Sequence, residues 1–152
     1  MGRSFQRRAI TAPEFKGNCG NYVDVTITTA QILALNATPQ TIVGAPGANK
    51  AIIPMGVVLY LPFNSVAYSG IASGEDFSFK YTNASGAEVL QVETTGFLDA
   101  SASAVRFAQP NATLLTPVAN AAIVLHLLSG EVAAGNSPLK IRFYYRTVPT
   151  VL

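Results

Sequence analysis

The chain has 152 residues, of which 49% are hydrophobic and 12% charged, and its formal net charge is +2. This length fits one domain, and the charged share is about half the usual value for a soluble domain. The most apolar stretch, 51–63, holds two prolines and a glycine, so it is too short and too broken for a membrane-spanning helix. We therefore predict no membrane partner, and the low charge favours a surface covered by other chains.

The first twenty residues differ from the rest and are predicted to form an extended arm, 1–20, ahead of a β-domain, 21–152. Four basic residues against one acidic residue give the arm a charge of +3, whereas six basic and seven acidic residues give the remainder −1. The arm lacks strand alternation, so it cannot build a core of its own. It is either a frayed terminus or a segment that orders on a partner through these candidate residues: Arg3, Phe5, Arg7, Arg8, Phe15 and Lys16.

Nucleic acid is not predicted as the partner of the arm. Arginines do bind phosphate, but no wider basic field lies behind them in the sequence. The arm also lacks an aromatic platform on which bases could stack.

The domain opens with alternating apolar and polar residues over 22–28, which predict a strand with one wet face. Thr28 or Thr29 is then a candidate N-cap for a short amphipathic helical turn. A brief strand over 40–43 and a Pro-Gly turn lead into 51–61, which is apolar on both faces as a fully buried strand is. Pro54 cannot donate a ladder hydrogen bond, so it predicts a bulge or a sheet edge.

The second half of the chain predicts further short strands. Residues 77–82 alternate as a half-exposed strand, and a hairpin turn over 83–86 leads into another strand over 88–94. The remaining strand candidates are 105–108, 113–116, 121–128 and 139–148. The connecting stretches 64–74, 96–104 and 130–138 are predicted to be loops, and little of 96–104 is expected to be buried.

About eight short strands with at most one helical turn predict an all-β fold, an antiparallel β-sandwich or jelly roll. Strands that lack polar residues on both faces are unusual in such a fold, because one face normally meets solvent. Either a flanking loop or a neighbouring subunit covers the second face. The candidate residues for an oligomer interface are Val58, Tyr60, Val124, His126, Leu128 and Tyr144.

No reactive constellation is recognisable, so we predict no enzyme, no cofactor and no metal site. The single cysteine, Cys19, and the single histidine, His126, lack the partners that nucleophilic catalysis or zinc binding needs. We interpret His126 as a packed or interface histidine satisfied by one hydrogen bond. The one adjacent acidic pair, Glu75-Asp76, lacks calcium-loop spacing and is expected at a solvated edge.

Two stretches carry a resemblance, TAQILALNATP running into APGANK at 29–50 and SPLKIRFYYR at 137–146. Together they resemble small structural proteins of tailed bacteriophages, among them head decoration (cement) proteins with β-sandwich or jelly-roll folds. The resemblance covers most of 22–148. It implies a homo-oligomer, often a trimer, on the outer surface of the phage head, where it would bind the major capsid protein and link neighbouring capsid subunits.

A tail component or a host-receptor module that binds carbohydrate is the alternative from the same class of particle. Jelly rolls place sugar sites in loops, and exposed tyrosines offer stacking surfaces. The candidates are Tyr60, Tyr68, Tyr81, Tyr144 and Tyr145. Copy number per particle separates the two functions, since decoration requires hundreds of copies and a tail tip only a few.

Overall fold

The computed structural model describes residues 20–110 and 115–151. Cys19 and the predicted arm, up to residue 19, lie outside the described residues. The described part contains one helix and ten strands, which are α1 Thr29–Leu33, β1 Asn21–Ile27, β2 Gln40–Val43, β3 Lys50–Leu61, β4 Tyr68–Ser69, β5 Phe77–Tyr81, β6 Glu88–Val92, β7 Ala104–Ala108, β8 Ile123–Leu127, β9 Ala133–Ala134 and β10 Leu139–Pro149. Among these residues no helix has the length and apolar character needed to span a membrane.

Eight of the strands form two four-stranded sheets. The first sheet has the order β1-β10-β3-β7 and the second has the order β2-β8-β5-β6, while β4 and β9 pair separately. Every strand pair is antiparallel. The predicted all-β antiparallel sandwich of about eight strands is therefore confirmed.

The connection from β1 to β2 is built around the predicted helical turn. Thr28 is the N-cap, and it exchanges hydrogen bonds with Gln31 in a capping box, which satisfies amide groups at the start of α1. Ile32 on the helix and Leu35 just after it are fully buried. The short helix is thus held by its cap and by two apolar anchors.

The long strand β3 contains the irregularity predicted at Pro54. Its pairing with β10 shifts where Tyr144 faces Gly56 and Tyr145 faces Pro54, which leaves Met55 as the extra residue. Such a bulge reverses which residues of the strand point inward. Beyond it Val57, with every second residue after it, faces the core.

The core lies between the two sheets. The rings of Phe79 and Phe143 stack with centroids 5.3 Å apart and join the sheets at the centre. Two buried tyrosines satisfy their hydroxyls on backbone carbonyls, Tyr68 on Ser137 at 2.6 Å and Tyr81 on Ile52 at 2.5 Å. Both of these buried hydroxyls therefore find partners within the sandwich.

Four sequence predictions need correction. The strand over 77–82 is buried on both faces, because Ser78 is fully buried and donates to the Glu88 carboxylate at 2.5 Å. The predicted loop over 96–104 buries Phe97 and Leu98 completely. The loops 64–74 and 130–138 pair with each other through β4 and β9. For the candidate strand 113–116, residues 113–114 lie outside the described part and 115–116 form no strand.

Candidate functional site

The outer face of the first sheet is the most distinctive surface of the described part. The strand registers align its outward side chains in three rows across the sheet. The rows are Thr26, Lys140, Tyr60 and Val105; then Asp24, Arg142, Val58 and Phe107; then Tyr22, Tyr144 and Gly56. We call this set the first-sheet face.

The half of the first-sheet face on β3 and β7 is apolar and open. Val105 and Phe107 are each 62% exposed, and Tyr60 beside them is 38% exposed. A Cβ atom at Gly56 would lie 3.4 Å from the Phe107 ring, so the missing side chain leaves room for that ring. The result is a contiguous apolar strip in water, a feature typical of a protein contact surface.

The half on β1 and β10 is polar and well ordered. Arg142 donates from Nε and a terminal nitrogen to the two carboxylate oxygens of Asp24, both at 2.7 Å. Its guanidinium carbon lies 4.6 Å from the centre of the Tyr22 ring. These hydrogen bonds lower the pKa of Asp24 and raise that of Arg142. Both groups stay ionised at neutral pH, although an exposed pair of this kind adds little stability.

A groove of about 450 Å³ runs between the two halves. Tyr60 and Tyr144 form apolar walls, while Asp24, Lys140 and Arg142 supply charge. Lys140 makes no ion pair with another described residue. The groove therefore offers aromatic surface beside an uncompensated cation.

Part of the outer face of the second sheet, at the end of β8, is covered by the chain itself. The segment after α1 lies over β8, where Asn36 donates through its side chain to the carbonyl of Leu127 at 2.7 Å. His126 donates from Nε2 to the carbonyl of Asn36 at 3.1 Å. Glu131 accepts the backbone N–H groups of Asn36 and Ala37 at 3.0 and 2.8 Å. Four hydrogen bonds thus hold this segment, 34–39, against the sheet.

The packed-histidine interpretation of His126 is confirmed by that bond. The side chain is 9% exposed, and its Nδ1 has no hydrogen-bond partner among the described residues. Burial lowers the pKa of His126, and Lys80 nearby lowers it further, against smaller opposing effects of Asn36 and Glu131. The ring is therefore neutral at pH 7, and its Nδ1 is a buried acceptor.

The structure divides the six residues predicted for an oligomer interface. Val58, Tyr60 and Tyr144 share the first-sheet face. Val124 and His126 lie on the second sheet under cover of their own chain, and Leu128 lies half-buried just after β8. Of the predicted tyrosine platform, Tyr68 and Tyr81 are core residues, so neither can stack against a ligand. The predicted arm residues lie outside the described part.

Sequence reasoning missed Val105 and Phe107, which are the most exposed residues of the first-sheet face. Their alternation with Arg106 suggests that the apolar pair faces inward and the arginine outward. The register does the reverse, because Arg106 is aligned with the buried Leu59 at the edge of the sandwich. From there its guanidinium donates to the carbonyl of Gly96 at 3.1 Å.

The acidic pair Glu75-Asp76 accepts hydrogen bonds from neighbouring segments and is not the solvated edge that was predicted. Glu75 is 1% exposed and accepts the N–H of Ala72 at 2.5 Å. Asp76 accepts hydrogen bonds from Gln91 at 2.7 Å and from the N–H of Thr94 at 3.3 Å. Across the described ranges, no group of three or more His, Cys, Asp or Glu residues could hold a metal ion.

A chain of a solved structure described as a cyanophage Pam1 capsid asymmetric unit is similar over 94% of this chain and 96% of its own, with a TM-score of 0.46 and 19% sequence identity. No family model matches the sequence. No curated protein matches it either.

Proposed function

We propose that the chain is a capsid decoration protein that binds the assembled head of a tailed phage and links neighbouring capsid subunits. One observation supports this most strongly, the open apolar strip of Tyr60, Val105 and Phe107 on the first-sheet face. A protein with so few charges gains from covering such a strip in its working state. Two antiparallel sheets of four strands each support the β-sandwich type of protein that the resemblance in the sequence implies.

Decoration works through mass action. A protein that binds only the assembled shell stabilises the shell against disassembly. Many copies acting together make the sum large even when each contact is weak. The rigid parts of the first-sheet face suit this role, since the Asp24–Arg142 pair needs no reordering on contact.

The proposal includes a trimer and an ordered role for the basic arm. Association of three copies would cover part of the apolar surface by closed symmetry. The arm would reach acidic groups on a neighbouring capsid subunit, at the cost of its ordering entropy. No enzymatic activity or cofactor belongs to the proposal, which rests on binding alone.

The experiment is reconstitution on undecorated shells. Purified full-length protein is mixed with shells, and bound copies are counted by gel densitometry after sedimentation. We expect saturation at hundreds of copies per shell and a raised temperature of shell disruption. Saturation at a handful of copies would instead indicate a tail or receptor-binding component, and absence of binding would contradict the proposal.

The arm is tested by deleting residues 1–16. The truncated protein should keep its far-UV circular dichroism spectrum and its oligomeric state in sedimentation but lose shell binding. Unchanged occupancy of the truncated protein would remove the arm from the proposal while leaving decoration itself intact. The trimer is tested separately by the mass of the free protein in equilibrium sedimentation.

The second candidate, a carbohydrate-binding module, draws on the groove. Tyr60 and Tyr144 offer aromatic surface there, beside the hydrogen-bonding groups of Asp24 and Arg142. Titration with host surface polysaccharide checks it, and binding that is lost in Tyr60→Ala would favour this candidate.

A further inference from the structure

Charge is unequally divided between the strands of the first sheet and the rest of the described residues. The strands of the first sheet carry five basic residues and one acidic residue, Asp24; the basic ones are Lys50, Arg106, Lys140, Arg142 and Arg146. The second sheet and the connecting loops carry one basic residue, Lys80, and six acidic ones, which are Glu75, Asp76, Glu88, Glu93, Asp99 and Glu131. On the first-sheet face itself the outward rows hold Lys140 and Arg142 against Asp24, a net charge of +1, while Arg106 is aligned with the inward Leu59.

The first-sheet face also carries the open apolar strip. Phe107 and Tyr60 stand in adjacent rows of the first-sheet face, next to Arg142 and Lys140. On the second sheet, the segment 34–39 instead contacts the end of β8 through hydrogen bonds. The exposed apolar strip and Lys140, a cation with no ion-pair partner among the described residues, thus lie together on the first-sheet face.

We propose that the first-sheet face docks on an acidic protein surface that has an apolar centre. The apolar strip would fill that centre, while Lys140 and the Asp24–Arg142 pair would lie toward acidic groups at its rim. This assignment rests on the proposed function for the identity of the partner, the capsid shell. In this assignment the first-sheet face binds the shell and is not an interface with another copy of the chain. The sequence had predicted such an interface for Val58, Tyr60 and Tyr144.

Charge complementarity decides between these occupants. Two copies joined face to face would bring two surfaces of the same sign together, and like charges across an interface cost affinity. Lys140 has no described ion-pair partner, so a carboxylate could meet it without breaking an existing contact. Arg142 is already neutralised by Asp24 and serves chiefly to hold its side of the groove rigid.

Nucleic acid fits the face less well. Its recognition needs several cations free to contact phosphates, with aromatic rings available for stacking if strands are single. In the rows of the first-sheet face one cation is paired with Asp24, and the widest exposed area is aliphatic and phenyl surface around Val105 and Phe107.

The test uses the full-length protein and two matched pairs of variants. Lys140→Gln and Thr41→Glu change the net charge equally, but on opposite faces, since Thr41 is exposed on β2. Phe107→Ser removes an apolar side chain that is 62% exposed on the first-sheet face. Val66→Ser removes one that is 47% exposed and lies away from that face. Melting temperature and circular dichroism check that all four variants fold.

Binding to undecorated shells is measured first. We expect Phe107→Ser to weaken binding about tenfold or more, as the loss of an interface anchor does. Lys140→Gln should weaken it severalfold at low salt and little at high salt. Thr41→Glu and Val66→Ser should bind like the parent. If the parent binds and all four variants match it, the face assignment is overturned while the proposed function stands.

A second arm needs no shell. Retention on a polyglutamate resin should fall for Lys140→Gln but not for Thr41→Glu. If the parent does not bind shells yet shows this difference, the proposed function is wrong and the face binds an acidic partner of another kind. Equal retention of the two variants overturns the face assignment. It is also overturned if Phe107→Ser converts an oligomer to a monomer in sedimentation, or if duplex DNA binds more tightly than polyglutamate and Lys140→Gln abolishes that binding.

Discussion

The two outer faces of the sandwich differ in how far their apolar side chains are exposed to water. On the second sheet, outward Val124 is 5% exposed, on the strand β8 whose end is hydrogen-bonded to the segment 34–39. On the first sheet, outward Val105 is 62% exposed, with no described segment above it. The same residue type is thus covered within the chain on one side and left open on the other.

This difference indicates where the partner binds. Apolar surface in water costs about 25 cal/mol per Å², so a face that the chain leaves open is one that another chain can profit from covering. The second face has already used its apolar surface for folding. Each prediction below compares a residue on one side with a counterpart on the other.

The largest expected contrast is between two phenylalanines. Phe79 is fully buried and stacks on Phe143, whereas Phe107 is mostly exposed. Phe79→Ala should lower the free energy of unfolding by about 3–5 kcal/mol, because it leaves a cavity in the core. Phe107→Ala should change it by less than about 1 kcal/mol. Urea denaturation measures both, and a comparable loss in the two variants would contradict the open face.

Two valines provide a milder version of this contrast. Val124→Ala should cost about 2 kcal/mol, since two buried methyl groups are lost. Val105→Ala should stay within about 0.5 kcal/mol of the parent. Thermal unfolding of the pair checks this, and equal melting temperatures would contradict the difference in burial between Val124 and Val105.

The covering segment itself can be loosened at Glu131. Glu131→Gln replaces one acceptor oxygen with a donor, so the backbone N–H groups of Asn36 and Ala37 cannot both be satisfied. We expect a loss of about 1–2 kcal/mol and faster hydrogen exchange at these two amides. Amides of the first sheet, such as that of Val58, should keep their exchange rates. Uniform acceleration would show that the segment does not open independently.

The smallest effect is a pH dependence that belongs to the second face. The pKa of His126 is lowered by burial and by Lys80, so the unfolded chain binds a proton more readily than the folded chain. Stability should be full above the ordinary histidine pKa of about 6.5 and should decline as pH falls below it. His126→Gln should flatten this decline between pH 7 and 5.5 in denaturation experiments. The parent slope persisting in the variant would assign it to other groups.

Much of the fold follows from local sequence chemistry. Thr28 and Gln31 encode a capping box within four residues, and Pro54 fixes an irregularity because proline has no N–H to donate. Alternation puts Ile141 and Phe143 on one face of β10 and Lys140 and Arg142 on the other; the first pair is buried and the second exposed. Such features are decided by a residue and its near neighbours.

The candidate site was less predictable, because it depends on contacts between distant parts of the chain. Val105 and Phe107 face outward only because β7 aligns Arg106 with Leu59 on β3, more than forty residues earlier in the sequence. Val124 and His126 were expected at an interface with another copy, and the sequence could not reveal that they are buried within their own chain. Burial of Ser78 likewise requires Glu88 on the next strand.

The central claim is that the first-sheet face is open in the free protein and covered in its working state. Hydroxyl-radical labelling of free protein and of protein bound to shells tests it at Met55, Tyr60 and Phe107, which are 45%, 38% and 62% exposed. We expect strong protection of Tyr60 and Phe107 on binding, with unchanged labelling of Val66 on the loop before β4. Equal labelling of Tyr60 and Phe107 in the free and bound protein would contradict the claim.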